Sequence, residues 1–234
     1  GLAAVYAEPD DPEWATQLSD KEGKLAVRYA IIELNSLPQW VGVLADAHPR
    51  AVDEVLGEEL RLELQAEAAG AEWHSMLLQH IGHAADKVVT AFLPRLRAWF
   101  DCNENLVGKN GDVKGAARRL QQVVSILEKH GDANIRALLR TTAQQCLGAE
   151  IPKSFAYVWL PLLMRFDANT GLDALEERIR AIDPAPRSEA VTWIGSLFGD
   201  RHDGVNLTGP QFTPSILLRL LRLVYHHLRP ADDV

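Results

Sequence analysis

"RAVDEVLGEELRLEL", residues 50–64, is the stretch from which the fold can be read. Val52, Leu56, Leu60 and Leu64 recur every four residues. That spacing gathers apolar groups on one side of a helix, so the stretch predicts an amphipathic helix laying a stripe against a neighbouring helix. Pro49 stands just before it. Proline suits a first helical position, because the N–H it lacks would have no partner there.

The same reading extends in both directions. Leu25, Ile32 and their apolar neighbours predict a helix near 20–34, capped by Ser19 or Asp20. "NSLPQWVGVLADAHP" predicts a short helix from about Leu37 to Ala47. Downstream, "EWHSMLLQHIGHA" reads as a short helix and "DKVVTAFLPRLRAWF" as a longer one carrying Val88, Val89, Phe92, Leu96, Trp99 and Phe100. After the loop "NENLVGKNGD" come "VKGAARRLQQVVSILEKH" and "DANIRALLRTTAQQCLG", then "PKSFAYVWLPLLMRF" and "GLDALEERIRAI". Pro94 and Pro161 interrupt two of these patterns and should kink the helix or force a boundary. No stretch alternates convincingly as a strand would.

The helix pairs start near 36, 73, 112 and 152, at spacings of 37, 39 and 40 residues. Such intervals suit an all-α solenoid of HEAT-like pairs, whose period is about 40–47 residues. A pair with one apolar stripe completes its core by stacking on the next pair. An irregular multi-helix bundle is the alternative. Trp40, Trp73, Trp99 and Trp159 fall about once per repeat, inside apolar helical patterns, and so read as core residues rather than as an aromatic groove.

Composition sets outer limits. The chain has 234 residues, 47% hydrophobic and 24% charged, within the ordinary range for a globular protein large enough to hold its own core. Two cysteines, Cys102 and Cys146, make no disulfide framework and fit a reduced, cytoplasmic setting. The net charge of −8 argues against a dedicated nucleic-acid or anionic-membrane surface. No run of 18 apolar residues occurs, and the start "GLAAVYAEPDDPEW" lacks the basic region of a signal peptide. The absent initiator methionine and the ending "RPADDV" are read as marks of a segment from a longer protein.

Tests for chemistry mostly fail. "LVGKNGDVKG" has no preceding strand and no Ser or Thr after Lys109, so it is not a phosphate-binding P-loop. His74, His80 and His83 lie on one helix with Asp86 nearby, but zinc needs three or four converging ligands, and neither the His-Glu-x-x-His spacing nor a cysteine is at hand. "DANTGLDALEE", counted from Asp167, puts Gly171 fifth and Arg178 twelfth, where an EF-hand needs glycine sixth and glutamate twelfth. A helix ending near Phe166, a turn and a new helix account for it better. No metal or cofactor is expected.

The polar stretch "GDRHDGVNLTGPQF", residues 199–212, is the one unusual connection. Gly199 and Gly204 bracket Asp200, Arg201, His202 and Asp203. Beyond it, Thr213 caps and Pro214 opens a helix reading "SILLRLLRLVYHHL". Its apolar arc is wide, which predicts burial over much of its circumference. Arg219, Arg222, His226 and Arg229 follow spacings of three, four and three, a basic stripe along one side. Loop and stripe together form the candidate partner-binding surface, fitted to an acidic protein segment or a neighbouring domain. Two rival readings exist. One is a metal-dependent hydrolase built on His202 and Asp203, with His226 or His227 folded against them. The other is a nucleic-acid-binding helical repeat, disfavoured by the charge and by the lack of aromatic residues among the basic ones. The organisation that follows is helical-pair repeats over 1–198, a polar loop at 199–212 and a terminal helix at 213–234 leading into a further domain.

"LNSLPQWVGVLADAHPRAVDEVLGEEL", with "LFGDRHDG" and "LLRLVYHHLRPADD", resembles the helical-repeat region of very large bacterial proteins. These include P-loop NTPases of the signal-transduction type and products of phage-defence operons. The resemblance implies a sensor or scaffold role in antiviral defence, with the nucleotide-binding part elsewhere. It supplies no catalytic residue.

Overall fold

The computed structural model describes residues 13–32, 36–65, 76–102, 113–149, 151–182, 187–198 and 204–228. Eleven helices and a short 3-10 turn, Trp14–Gln17, make up nearly all of this, and no strand occurs among the described residues. The all-α expectation holds.

Helix α1, Asp20–Ala30, begins at a reciprocal cap. The Glu22 N–H donates to Ser19 Oγ, and the Glu22 carboxylate accepts from the Ser19 N–H at 2.9 Å. Two otherwise unbonded donors are thereby satisfied. Helix α2 is Trp40–Ala47. Helix α3 runs through 49–65 in three parts: an α-helical turn Pro49–Val52, a π-helical stretch Asp53–Gly57 and an α-helical end Glu58–Gln65. Pro49 opens α3 as its position implied.

The π stretch answers to the four-residue stripe. With 3.6 residues per turn, a stripe stepping by four drifts around a regular helix by about 40° per step. A turn closed by i→i+5 bonds holds more residues and locally reverses that drift. Val52, Leu56, Leu60 and Leu64 are all buried as a result. Arg95 braces the stretch from outside, donating to Asp53 Oδ2 at 2.8 Å and to Oδ1. That pair holds the Asp53 carboxyl below its ordinary range. Gly57 leaves room for it, since a Cβ there would meet the Arg95 guanidinium.

Next come α4, Met76–His83; α5, Asp86–Phe100; α6, Val113–His130; and α7, Ala133–Gly148. They are followed by α8, Lys153–Phe166; α9, Ala168–Ile182; α10, Arg187–Phe198; and α11, Pro214–Leu228. Of the kink or boundary expected at Pro94 and Pro161, no boundary forms: α5 and α8 run past them. Phe92 and Leu96 beside the first, and Leu160 and Leu162 beside the second, are buried, and that packing outweighs the ~3 kcal/mol a mid-helix proline costs. Between α8 and α9 the expected turn after Phe166 forms and is a single residue long. Asp167 alone breaks the helix and recaps it, its Oδ1 accepting the Thr170 N–H at 3.0 Å. Finally, 187–198 forms α10, a helix that periodicity did not single out.

The chain divides into two compact units, Gly1–Ile135 and Arg136–Val234. In the first, α1 packs on α2 and α3, α2 on α3 and α5, α3 on α4 and α5, and α6 on α4 and α5. Leu44, Leu56, Leu78, Phe92, Leu96 and Leu120 are fully buried there. In the second, α8 packs on α9 and α10, α9 on α10 and α11, and α10 on α11, around Phe155, Trp159, Leu163, Leu172 and Ile194. Trp40 and Trp159 are core residues as expected. Trp99 is half-buried and donates through Nε1 to the Leu64 carbonyl at 3.2 Å. Trp73 lies outside the described residues.

Two helix ends are closed by side chains from distant helices. Arg119 on α6 joins Trp99 at the Leu64 carbonyl, near the end of α3. Arg178 on α9 donates to the Leu147 carbonyl at 2.8 Å, near the end of α7, and also to the Ala149 carbonyl. Its guanidinium lies 5.6 Å from the Trp193 ring centroid, within cation–π range.

Candidate protein-interaction surface

The approach to α11 is a tightly bonded path. The Val205 N–H donates to the Leu197 carbonyl at 2.8 Å, closing the end of α10. Gly204 sits so near Phe198 that a Cβ would lie 2.5 Å from its carbonyl oxygen, which only glycine avoids. Asn206 Oδ1 then accepts from both the N–H and the hydroxyl of Thr208, a side-chain-closed turn. Phe212 is buried as an anchor. Thr213 Oγ1 accepts the Ile216 N–H, and Pro214 takes the first helical position, as the sequence predicted. Asp200, Arg201, His202, Asp203 and Arg229 lie outside the described residues.

The basic stripe divides. Arg219 turns inward onto α9: Nη1 donates to Asn169 Oδ1 at 2.9 Å and Nη2 to Asp173 Oδ1 at 2.7 Å, while Glu176 Oε2 lies 2.9 Å from Nη2. The bonds to Glu176 and Asp173 push the guanidinium further toward the charged form. Arg222 and His226 face outward and are exposed. The His226 ring meets His227 edge to face, with centroids 4.8 Å apart. Arg222 makes no ion pair among the described residues.

The preceding helices cover the apolar arc of α11 only in part. Leu220 is 3% exposed, whereas Leu218, Leu221 and Tyr225 are 47%, 63% and 60% exposed. Both α9 and α10 pack on the Leu220 side, and no other described helix reaches the opposite one in comparable contact. The three exposed residues follow i, i+3, i+7 spacing, which places them on one strip over two turns. The Arg219 staple escaped the sequence reading, although a signal existed. Asn169, Asp173 and Glu176 are spaced by four and three, one acidic edge on α9.

Ser196 is buried and its hydroxyl donates to the Trp193 carbonyl at 2.7 Å, a bond within its own helix. Burial pushes the Cys146 thiol up to about 11. His80 is half-buried and His83 exposed on α4, and His74 lies outside the described residues. No group of three or more His, Cys, Asp or Glu stands close enough to hold a metal ion among the described residues. Among them, too, no helix is long and apolar enough to cross a membrane.

No protein-family model, curated protein or solved structure matches this chain. The physical character of the surface must therefore carry the functional argument. On the described surface, the exposed leucine–tyrosine strip is edged by Arg222 and His226 on a helix fixed from behind by Arg219.

Proposed function

We propose that the chain is a non-catalytic protein-interaction module of HEAT-like helical repeats. It belongs, on this reading, to a larger cytoplasmic bacterial protein in which it acts as sensor or scaffold, in line with the resemblance to repeat regions of phage-defence proteins. One observation carries the proposal. Successive pairs open at Trp40, Met76, Val113 and Lys153, and strong helix contacts within each unit join elements close in sequence. Such a succession supports a quasi-one-dimensional reading, in which repeats work through extended surfaces. The unpaired thiols Cys102 and Cys146 fit a reducing compartment.

A pull-down from the native host tests the module, comparing wild type with an Arg222→Glu/His226→Glu double variant. Arg219 is left intact because its reversal would set a third carboxylate against Asp173 and Glu176. A protein recovered by wild type and lost by the double variant is the expected result. Turnover of a phosphoester or peptide substrate by the purified chain would overturn the reading in favour of a hydrolase. Binding to DNA or RNA with steep salt dependence would overturn it in favour of a nucleic-acid module.

A further inference from the structure

Within the interaction-module reading, on which this step rests, we infer that the outer face of α11 seats an amphipathic helix of another protein, with carboxylates along one edge. Leu218, Leu221 and Tyr225 form the apolar strip, and their spacing covers about 10 Å of helix axis, a length suited to side-by-side helix contact. The edge beside Leu218 and Tyr225 is formed by Arg222 and His226, both exposed. The nearest acids on the underlying helix, Asp173 and Glu176, are engaged by Arg219 and leave Arg222 without an ion pair among the described residues.

Charge therefore selects the occupant. A second copy placed by a two-fold axis would bring Arg222 toward the same residue of its mate, cation against cation. An acidic-edged helix meets the apolar strip and the cationic edge together. Burial at the centre of such a contact, not the rim charge alone, would supply most of the affinity, with the charges fixing orientation and selectivity.

The test is selection of a displayed library of helical peptides against the wild-type chain, followed by binding of the enriched peptides to variants. Enriched sequences should carry leucine or aromatic residues at i, i+3 and i+7 and Asp or Glu along one edge. Leu221→Asp, at an exposed position that leaves the fold intact by circular dichroism, should weaken them by roughly tenfold or more. Arg222→Glu should reverse the preference from acidic to basic edges. Peptides that bind Leu221→Asp as well as wild type would move the site elsewhere while leaving the module reading standing. Enrichment without acidic bias, or indifferent to Arg222→Glu, would overturn the stated occupant, as would no enrichment at all. A concentration-dependent dimer abolished by Leu221→Asp would assign the face to a second copy and overturn the inference.

Discussion

His130 sits at the end of α6 with a side chain only 7% exposed and Nδ1 3.3 Å from Asp86 Oδ1. Burial, helped by neighbouring Lys129, holds its pKa below the ordinary value, and Asp86 opposes them only in part. The unfolded chain therefore binds a proton more readily than the folded one. The stability tied to this group is fully present above pH ~6.5 and is lost as pH falls through that value toward the lower folded pKa. The melting temperature should fall more between pH 7.5 and 5.5 for wild type than for His130→Asn; equal falls would remove His130 as the cause. The two thiols offer a cleaner contrast. Cys102 is exposed and Cys146 buried, so a thiol reagent at pH 8 should label one sulfur in the folded chain and the second only after unfolding. At Gly171 a Cβ would stand 2.6 Å from Met164 Sδ and 3.0 Å from its backbone nitrogen. Gly171→Ala should cost about 1–3 kcal/mol by urea denaturation. Gly148→Ala, where a Cβ meets nothing within 4 Å, serves as the tolerated control.

Among the elements, α11 depends on Arg219 as well as on Leu220. Arg219→Ala should cost about 1 kcal/mol, since its partners are partly exposed, and Arg219→Glu more. Hydrogen exchange across 214–228 would register the loss, and unchanged protection would show that apolar packing alone holds the helix. This staple also marks where sequence reading stops. Ser19, Pro49 and the Thr213–Pro214 start were legible because a cap or a fixed φ acts within three residues of itself. The ranges of α5 and α6 were legible because their apolar periodicity is long, continuing in α5 past Pro94. The burial of Leu56, Leu60 and Leu64 followed from their spacing, but the π stretch that aligns them did not. The turn after Phe166 was legible, but its brevity was not, because nothing near Asp167 reveals how little chain a well-placed cap needs. Arg219 looked like a free cation because its partners lie 43 to 50 residues away. The exposure of Leu221 was hidden for the same reason: a sequence displays an apolar arc, not which part of it a neighbour covers.

Across the whole molecule, helices meet mainly those near them in sequence within each unit, so few long loops must close before contacts form. Refolding should accordingly be fast. After a brief unfolding pulse, too short for prolines to isomerise, the far-ultraviolet circular dichroism should return within milliseconds. Recovery over many seconds would mean that the rate is set by distant pairings.

The π stretch in α3 gives the chain a peculiar relation to single-residue deletion. Loss of one residue from a helix ordinarily rotates everything beyond it by ~100° and is damaging because a good register is lost. Here the loss of one residue from 53–57 would leave a more regular helix than before, with every turn closed the ordinary way. Leu60 and Leu64 would keep the side they share with Val52, because seven and eleven steps of ~100° end within ~20° of whole turns, and only the wide turn itself would be rebuilt. A one-codon deletion within 53–57 should therefore cost this protein less than the same deletion in the middle of α5 or α6, and thermal unfolding of the variants would check it.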